Sequence, residues 1–64
     1  GLTGEVKDVL LEEPLVLDGS RYETGYTKEY VKAAVASEQN RANCVVRGKI
    51  TGQLARDIYL MVEF

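Results

Sequence analysis

The chain has 64 residues, enough for one small domain that buries only about 60% of the surface its unfolded form exposes, so its core must be simple. Hydrophobic residues make up 45% and charged residues 28%, which excludes the low-hydrophobicity, high-charge regime of a disordered tail. Lys and Arg number 8 against 10 Asp and Glu, for a net charge of −2; the single Cys44 excludes an internal disulfide, and the lack of His excludes a zinc site built from Cys and His.

In chain order, the stretch from Gly4 to Glu13 predicts a first strand, ending at Pro14 because proline has no backbone N–H to donate. Leu15-Val16-Leu17 continues apolar. Asp18-Gly19-Ser20 is a turn signal, since Gly tolerates positive φ and Asp bonds locally to backbone. Arg21 to Thr24 is the next expected short strand, broken or bent at Gly25. Residues 28–38 fit two patterns. Val31, Ala34, Val35 and Glu38 have helical spacing behind Thr27 as a cap, and propensity favours that helix. Alternation instead puts Val31, Ala33 and Val35 on one face of a strand, with Lys28, Tyr30 and Lys32 on the other.

Ser37 to Asn43 is polar and reads as a connection. Next, Cys44, Val46, Gly48 and Ile50 alternate with Val45, Arg47, Lys49 and Thr51, a strand with one apolar and one largely cationic face. Cys44 is expected to be buried, and Gly48 to mark a bulge or sharp bend. Gly52-Gln53 predicts a turn, and the last run is expected to turn Ile58, Leu60, Val62 and a buried Phe64 to the core. Four to five short strands separated by turns predict a small antiparallel barrel or half-barrel, closure being the way to remove exposed sheet edges.

Little in the chain serves catalysis. There is no His for a nucleophilic triad, no glycine-rich phosphate loop, and a single cysteine where an iron–sulfur cluster takes several. Glu12 and Glu13 are neighbours in sequence but point to opposite faces of a strand, so they read as a solvated edge. Nor does any run approach the roughly 20 apolar residues of a transmembrane helix, and the first residues lack the basic start and apolar centre of a secretory signal. No membrane partner and a cytoplasmic location are the expectations. Gly1 in place of an initiator Met points to a single domain, residues 1–64, cut from something longer.

Binding is what remains, and Gly25-Tyr26-Thr27-Lys28-Glu29-Tyr30-Val31 interleaves aromatic with cationic side chains. Tyrosine rings offer flat faces to unstacked bases, and Lys28 offers charge to phosphates. Taken singly, such tyrosines are ordinary wall residues of a small β domain and such lysines ordinary edge protection. Their interleaving favours an interface, with Tyr30 and Lys32 sharing one face and Arg47 and Lys49 another, while the acids Glu5, Asp8, Glu12 and Glu13 face elsewhere.

Gly25-Tyr26-Thr27-Lys28-Glu29-Tyr30-Val31-Lys32, followed by a loop, a β run and Gly48-Lys49-Ile50-Thr51, resembles the TRAM domain at the C-terminus of radical-SAM tRNA methylthiotransferases. The resemblance covers nearly the whole chain, with Gly4-Glu5-Val6 matching the entry strand. It implies an all-β, five-stranded antiparallel OB-like barrel, and hence the strand reading of residues 28–38. It further implies a non-catalytic, monomeric tRNA-binding domain that positions the anticodon region for the catalytic domains of a parent chain. Iron–sulfur clusters and S-adenosylmethionine would belong to those other domains. Carried over position by position, Thr27 and Tyr30 are signature residues, Tyr26 stands where many members have Arg, and Lys28 and Lys32 are phosphate neighbours. Arg47 and Lys49 join by strand alternation. The competing reading is a scaffold or protein-interaction barrel that never meets RNA.

Overall fold

The computed structural model describes residues 2–64, among which there are five strands and no helix. β1 spans Val6–Leu17, β2 Ser20–Tyr26, β3 Lys32–Ala36, β4 Val45–Ala55 and β5 Ile58–Glu63. Their order in the sheet is β1-β2-β3-β5-β4, and β4 pairs back onto β1, so the strands close on themselves as a barrel. All contacts are antiparallel except one. β3 and β5 run parallel through Ala33 with Tyr59 and Ala34 with Leu60, which corrects the expectation of a purely antiparallel sheet.

Closure depends on the length of β1. Its first half, Val6 to Leu10, pairs with β4, and its second half, Leu10 to Leu17, pairs with β2. Leu10 is the crossover, abreast of Tyr26 on one side and Val45 on the other. Beyond Leu11, whose other side still bonds to Asn43 and Cys44, β1 keeps only β2 as a neighbour, and a strand with one open side tolerates a residue that cannot donate; β1 therefore runs through Pro14 instead of stopping there. The β1–β2 turn is the one the sequence predicts. Asp18 (φ 51°) and Gly19 (φ 79°) are both left-handed, the pattern of a two-residue type I′ hairpin whose twist matches its strands.

In β1 and β4 the inward positions keep the period of two. Val9, Leu11, Ala33, Val35, Val46 and Met61 make one buried cluster, with Ile50 also enclosed. Residues 28–38 are not helical: 32–36 form β3, where Ala33, Ala34 and Val35 are all buried. Helical propensity loses because β3 has hydrogen-bonded neighbours on both sides, β2 and β5, which a helix would forfeit.

Four other expectations are corrected. Cys44 is exposed, lying in the loop before β4 with its carbonyl accepting from Leu11 N–H. Gly52-Gln53 does not turn; β4 runs on to Ala55 through register shifts around Thr51 and Leu54, and the turn falls at Arg56-Asp57. In β5 the faces are the reverse of those expected: Met61, opposite the enclosed Ile50, is its core residue, while Val62 is 55% and Phe64 75% exposed. Gly25 and Gly48 neither turn nor bulge. Both are buried where a neighbouring backbone passes too close for a side chain: a Cβ on Gly25 would overlap the Leu10 carbonyl, and one on Gly48 the Val62 carbonyl.

Candidate nucleic-acid interface

The segment after β2 is a tight loop closed by its own hydrogen bonds. Thr27 N–H donates to the Val31 carbonyl at 3.0 Å, Tyr30 N–H to the Thr27 carbonyl at 3.0 Å, and Val31 N–H to Thr27 Oγ1 at 3.2 Å. Thr27 is buried, so this signature residue organises the loop and is not itself a contact surface. To close the loop, Tyr30 takes φ 63°, a left-handed conformation unusual for a bulky side chain, and its ring is left 85% exposed. Tyr30 therefore precedes β3 and does not share a strand face with Lys32, contrary to the alternation reading.

Tyr26, Thr27, Lys28 and Tyr30 come together on one open groove of about 520 Å³, with Leu10, Val45, Asp8 and Glu12 completing its walls. The cross-strand pairing of Leu10 with both Tyr26 and Val45 sets these three abreast on the outside of the barrel, where they form an apolar stretch. Lys32, paired with Tyr26 across β2 and β3, places its Nζ 5.9 Å from the centroid of the Tyr26 ring, a cation–π contact.

The acids do not face elsewhere. Lys32 Nζ lies 3.5 Å from Glu13 Oε1, Arg47 Nε 3.9 Å from Asp8 Oδ1, and Lys7 Nζ 3.3 Å from Glu5 and 3.5 Å from Glu29. Cross-strand pairing is the reason: β1 carries the acids, and its antiparallel register sets Asp8 opposite Arg47. Donating a hydrogen bond to Glu5 and facing the charge of Glu29 hold the Lys7 ammonium above its ordinary pKa, and the charge of Lys7 holds the Glu29 carboxyl below its own. Among the described residues, Lys28 and Lys49 have no carboxylate within 4.0 Å. Lys49 lies away from the groove, flanked on the outer face of the barrel by Val6 of β1 and Val62 of β5.

Of the seven sequence-predicted residues, then, four line the groove, Lys32 and Arg47 border it in ion pairs, and Lys49 stands apart. Leu10, Val45, Asp8 and Glu12 were missed as groove residues. Alternation in β1 gives the outward positions of Asp8 and Leu10, opposite the inward Val9 and Leu11. The same alternation carries on to Glu12, which is also the residue left unpaired where the β1–β2 register slips between Leu11 and Glu13. No group of three or more His, Cys, Asp or Glu that could hold a metal ion forms among the described residues. Comparison with protein-family models, with curated proteins and with solved structures finds no match to this chain.

Proposed function

We propose that this chain is a non-catalytic RNA-binding domain of the OB-like, TRAM kind, which grips the anticodon region of a tRNA for the separate radical-SAM methylthiotransferase domains of a parent protein. The single observation that carries the reading is Tyr30, held outward at 85% exposure in a strained backbone conformation beside the unpaired Lys28 and the Tyr26–Lys32 contact. A bulky ring kept exposed at a conformational cost invites a ligand to cover it, and ring faces interleaved with ammonium groups match unstacked bases on a phosphate chain. The strand order with one parallel contact supports the OB-like assignment, a barrel whose strand faces and connecting loops commonly serve oligonucleotides. With one cysteine in this chain, the iron–sulfur clusters and S-adenosylmethionine fall to the other domains.

Binding is expected to be weak for the isolated domain, since Lys32 and Arg47 already have acidic partners. The test is a salt titration of its affinity for an anticodon stem-loop. Two or three phosphate contacts give a slope of log affinity against log salt of roughly −2, and Lys28→Glu reduces that slope by about 1. A slope near zero rejects the proposal.

A second reading has its own observation. Val62 near the end of β5 and Phe64 just after it are exposed, and Val62 shares a row with Lys49 and exposed Val6, apolar groups suited to packing against another domain. Under that reading Val62→Lys loosens docking of the domain in its parent protein, while Lys28→Glu leaves tRNA affinity unchanged.

A further inference from the structure

The groove beneath Tyr30 has a composition that a simple phosphate grip does not require. Its apolar floor comes from Leu10 and Val45, its aromatic walls from Tyr26 and Tyr30, and its charged rim holds one lysine, Lys28, against two carboxylates, Asp8 and Glu12. Carboxylates repel phosphate, so the groove itself is not where a backbone lies. They are acceptors only, and they call for N–H donors from whatever enters. Glu12 is the more telling of the two. It is the extra residue of the β1 bulge, and among the described residues it has no cation within 4.0 Å, whereas Asp8 has Arg47 at 3.9 Å.

From this we infer that the groove takes an unstacked nucleobase bearing an exocyclic amino group, cytosine, adenine or guanine, and disfavours uracil. The inference rests on the RNA-binding reading above and deepens it. A base is flat and apolar on its faces, which suits Tyr26, Tyr30, Leu10 and Val45, and it is neutral, so the carboxylates meet its amino edge without a competing charge. Its attached phosphate is anionic, and Lys28 on the same rim answers it. A cationic side chain such as a methylated lysine would suit the tyrosines, but Asp8 already has Arg47 at 3.9 Å and Lys28 would meet the cation as a like charge, whereas a base leaves Lys28 free to answer its phosphate. Cytosine and uracil have the same size; at the edge where cytosine offers the N4 amino donor, uracil offers the O4 acceptor, which leaves a carboxylate facing an oxygen.

The experiment compares oligocytidylate with oligouridylate of about eight nucleotides, within the site size of such folds, binding to the whole chain at neutral pH and low salt. The expected result is about tenfold tighter binding of oligocytidylate, equivalent to about 1.4 kcal/mol. In Glu12→Gln, whose amide both donates and accepts, the preference falls to roughly twofold or less. Thermal melting checks that this exposed substitution leaves the fold intact; should it not, the ratio for the unmodified chain still decides the matter. Equal, salt-dependent binding of both oligonucleotides overturns the base preference and leaves the RNA reading standing. Failure to bind either oligonucleotide or the stem-loop removes both. Tighter binding of a trimethyllysine peptide than of oligocytidylate overturns the inference in favour of a cation cage.

Discussion

Arg21 Nη2 lies 2.6 Å from Glu23 Oε2, and the Glu23 side chain is wholly buried while that of Arg21 keeps part of its surface in solvent. The same guanidinium donates from Nη1 to the carbonyls of Ser37 at 3.0 Å and Gln39 at 2.8 Å. One side chain thus compensates an interior carboxylate and ties the loop after β3 to the start of β2. Neither Glu23 oxygen has a hydrogen-bond partner among the described residues, so the ion pair with Arg21 is what makes a charge tolerable there.

Arg21→Met is therefore expected to destabilise the fold by about 3 kcal/mol, the low end of the range for stranding a buried charge, because Arg21 is partly hydrated. A domain of this length has about 3 to 10 kcal/mol in total, so the variant sits near the edge of folding. Arg21→Met combined with Glu23→Leu recovers most of the loss, since two apolar groups leave no charge behind. Urea unfolding of both variants checks this, and a double variant no more stable than the single one contradicts it.

Tyr30→Asn separates stability from binding. Asn enters the left-handed region far more readily than Tyr, and a ring that is 85% exposed loses little burial on removal. The variant is expected to gain about 1 kcal/mol of stability and to lose affinity for an anticodon stem-loop. If the variant proves both more stable and unimpaired in binding, the strain at Tyr30 has no functional counterpart.

The pattern of β1, the Asp18-Gly19 hairpin and the inward faces of Val46 and Ile50 were legible because each follows from local rules: alternation, and the need for positive φ in a two-residue turn. What the residues alone could not report were effects of one strand on another. The pairing of β5 with β4 sets Met61 opposite Ile50 and leaves Phe64 outside the core, and register alone brings Asp8 opposite Arg47. The candidate site divides the same way. Its Tyr26-to-Tyr30 wall is a local motif, whereas the floor of Leu10 and Val45 exists only because β1 crosses from one neighbour to the other at Leu10.

Gly25 and Gly52 make a matched pair for the close-approach argument. A Cβ on Gly25 would overlap the Leu10 carbonyl and come within 2.8 Å of Leu11 Cα, both backbone atoms that cannot move aside without pulling β1 from β2. Gly25→Ala is expected to cost about 3 kcal/mol, at the upper end for overpacking. Gly52 has nothing within 4 Å of the same position and no left-handed φ, so Gly52→Ala is neutral or stabilising by up to about 1 kcal/mol. Comparable melting temperatures for the two variants would falsify the crowding account of Gly25.

The acid limb of stability should report the clamp between Arg41, in the loop before β4, and Glu63, at the end of β5. Arg41 Nη1 donates to Glu63 Oε1 at 2.5 Å and Nη2 to Oε2 at 2.6 Å, and hydrogen bonding from Arg41 holds the Glu63 carboxyl below its ordinary value of 4.5. A carboxyl with a lower pKa folded than unfolded binds fewer protons in the native state around that value, so stability rises with pH there. The contribution of the clamp is complete above pH 4.5 and is lost as pH falls through the folded pKa. Urea midpoints of the unmodified chain and of Glu63→Gln, followed from neutral to acid pH, should differ by a constant amount at first and converge below pH 4.5. A difference that stays flat across the whole range means that the Arg41–Glu63 contact adds nothing to the folded state.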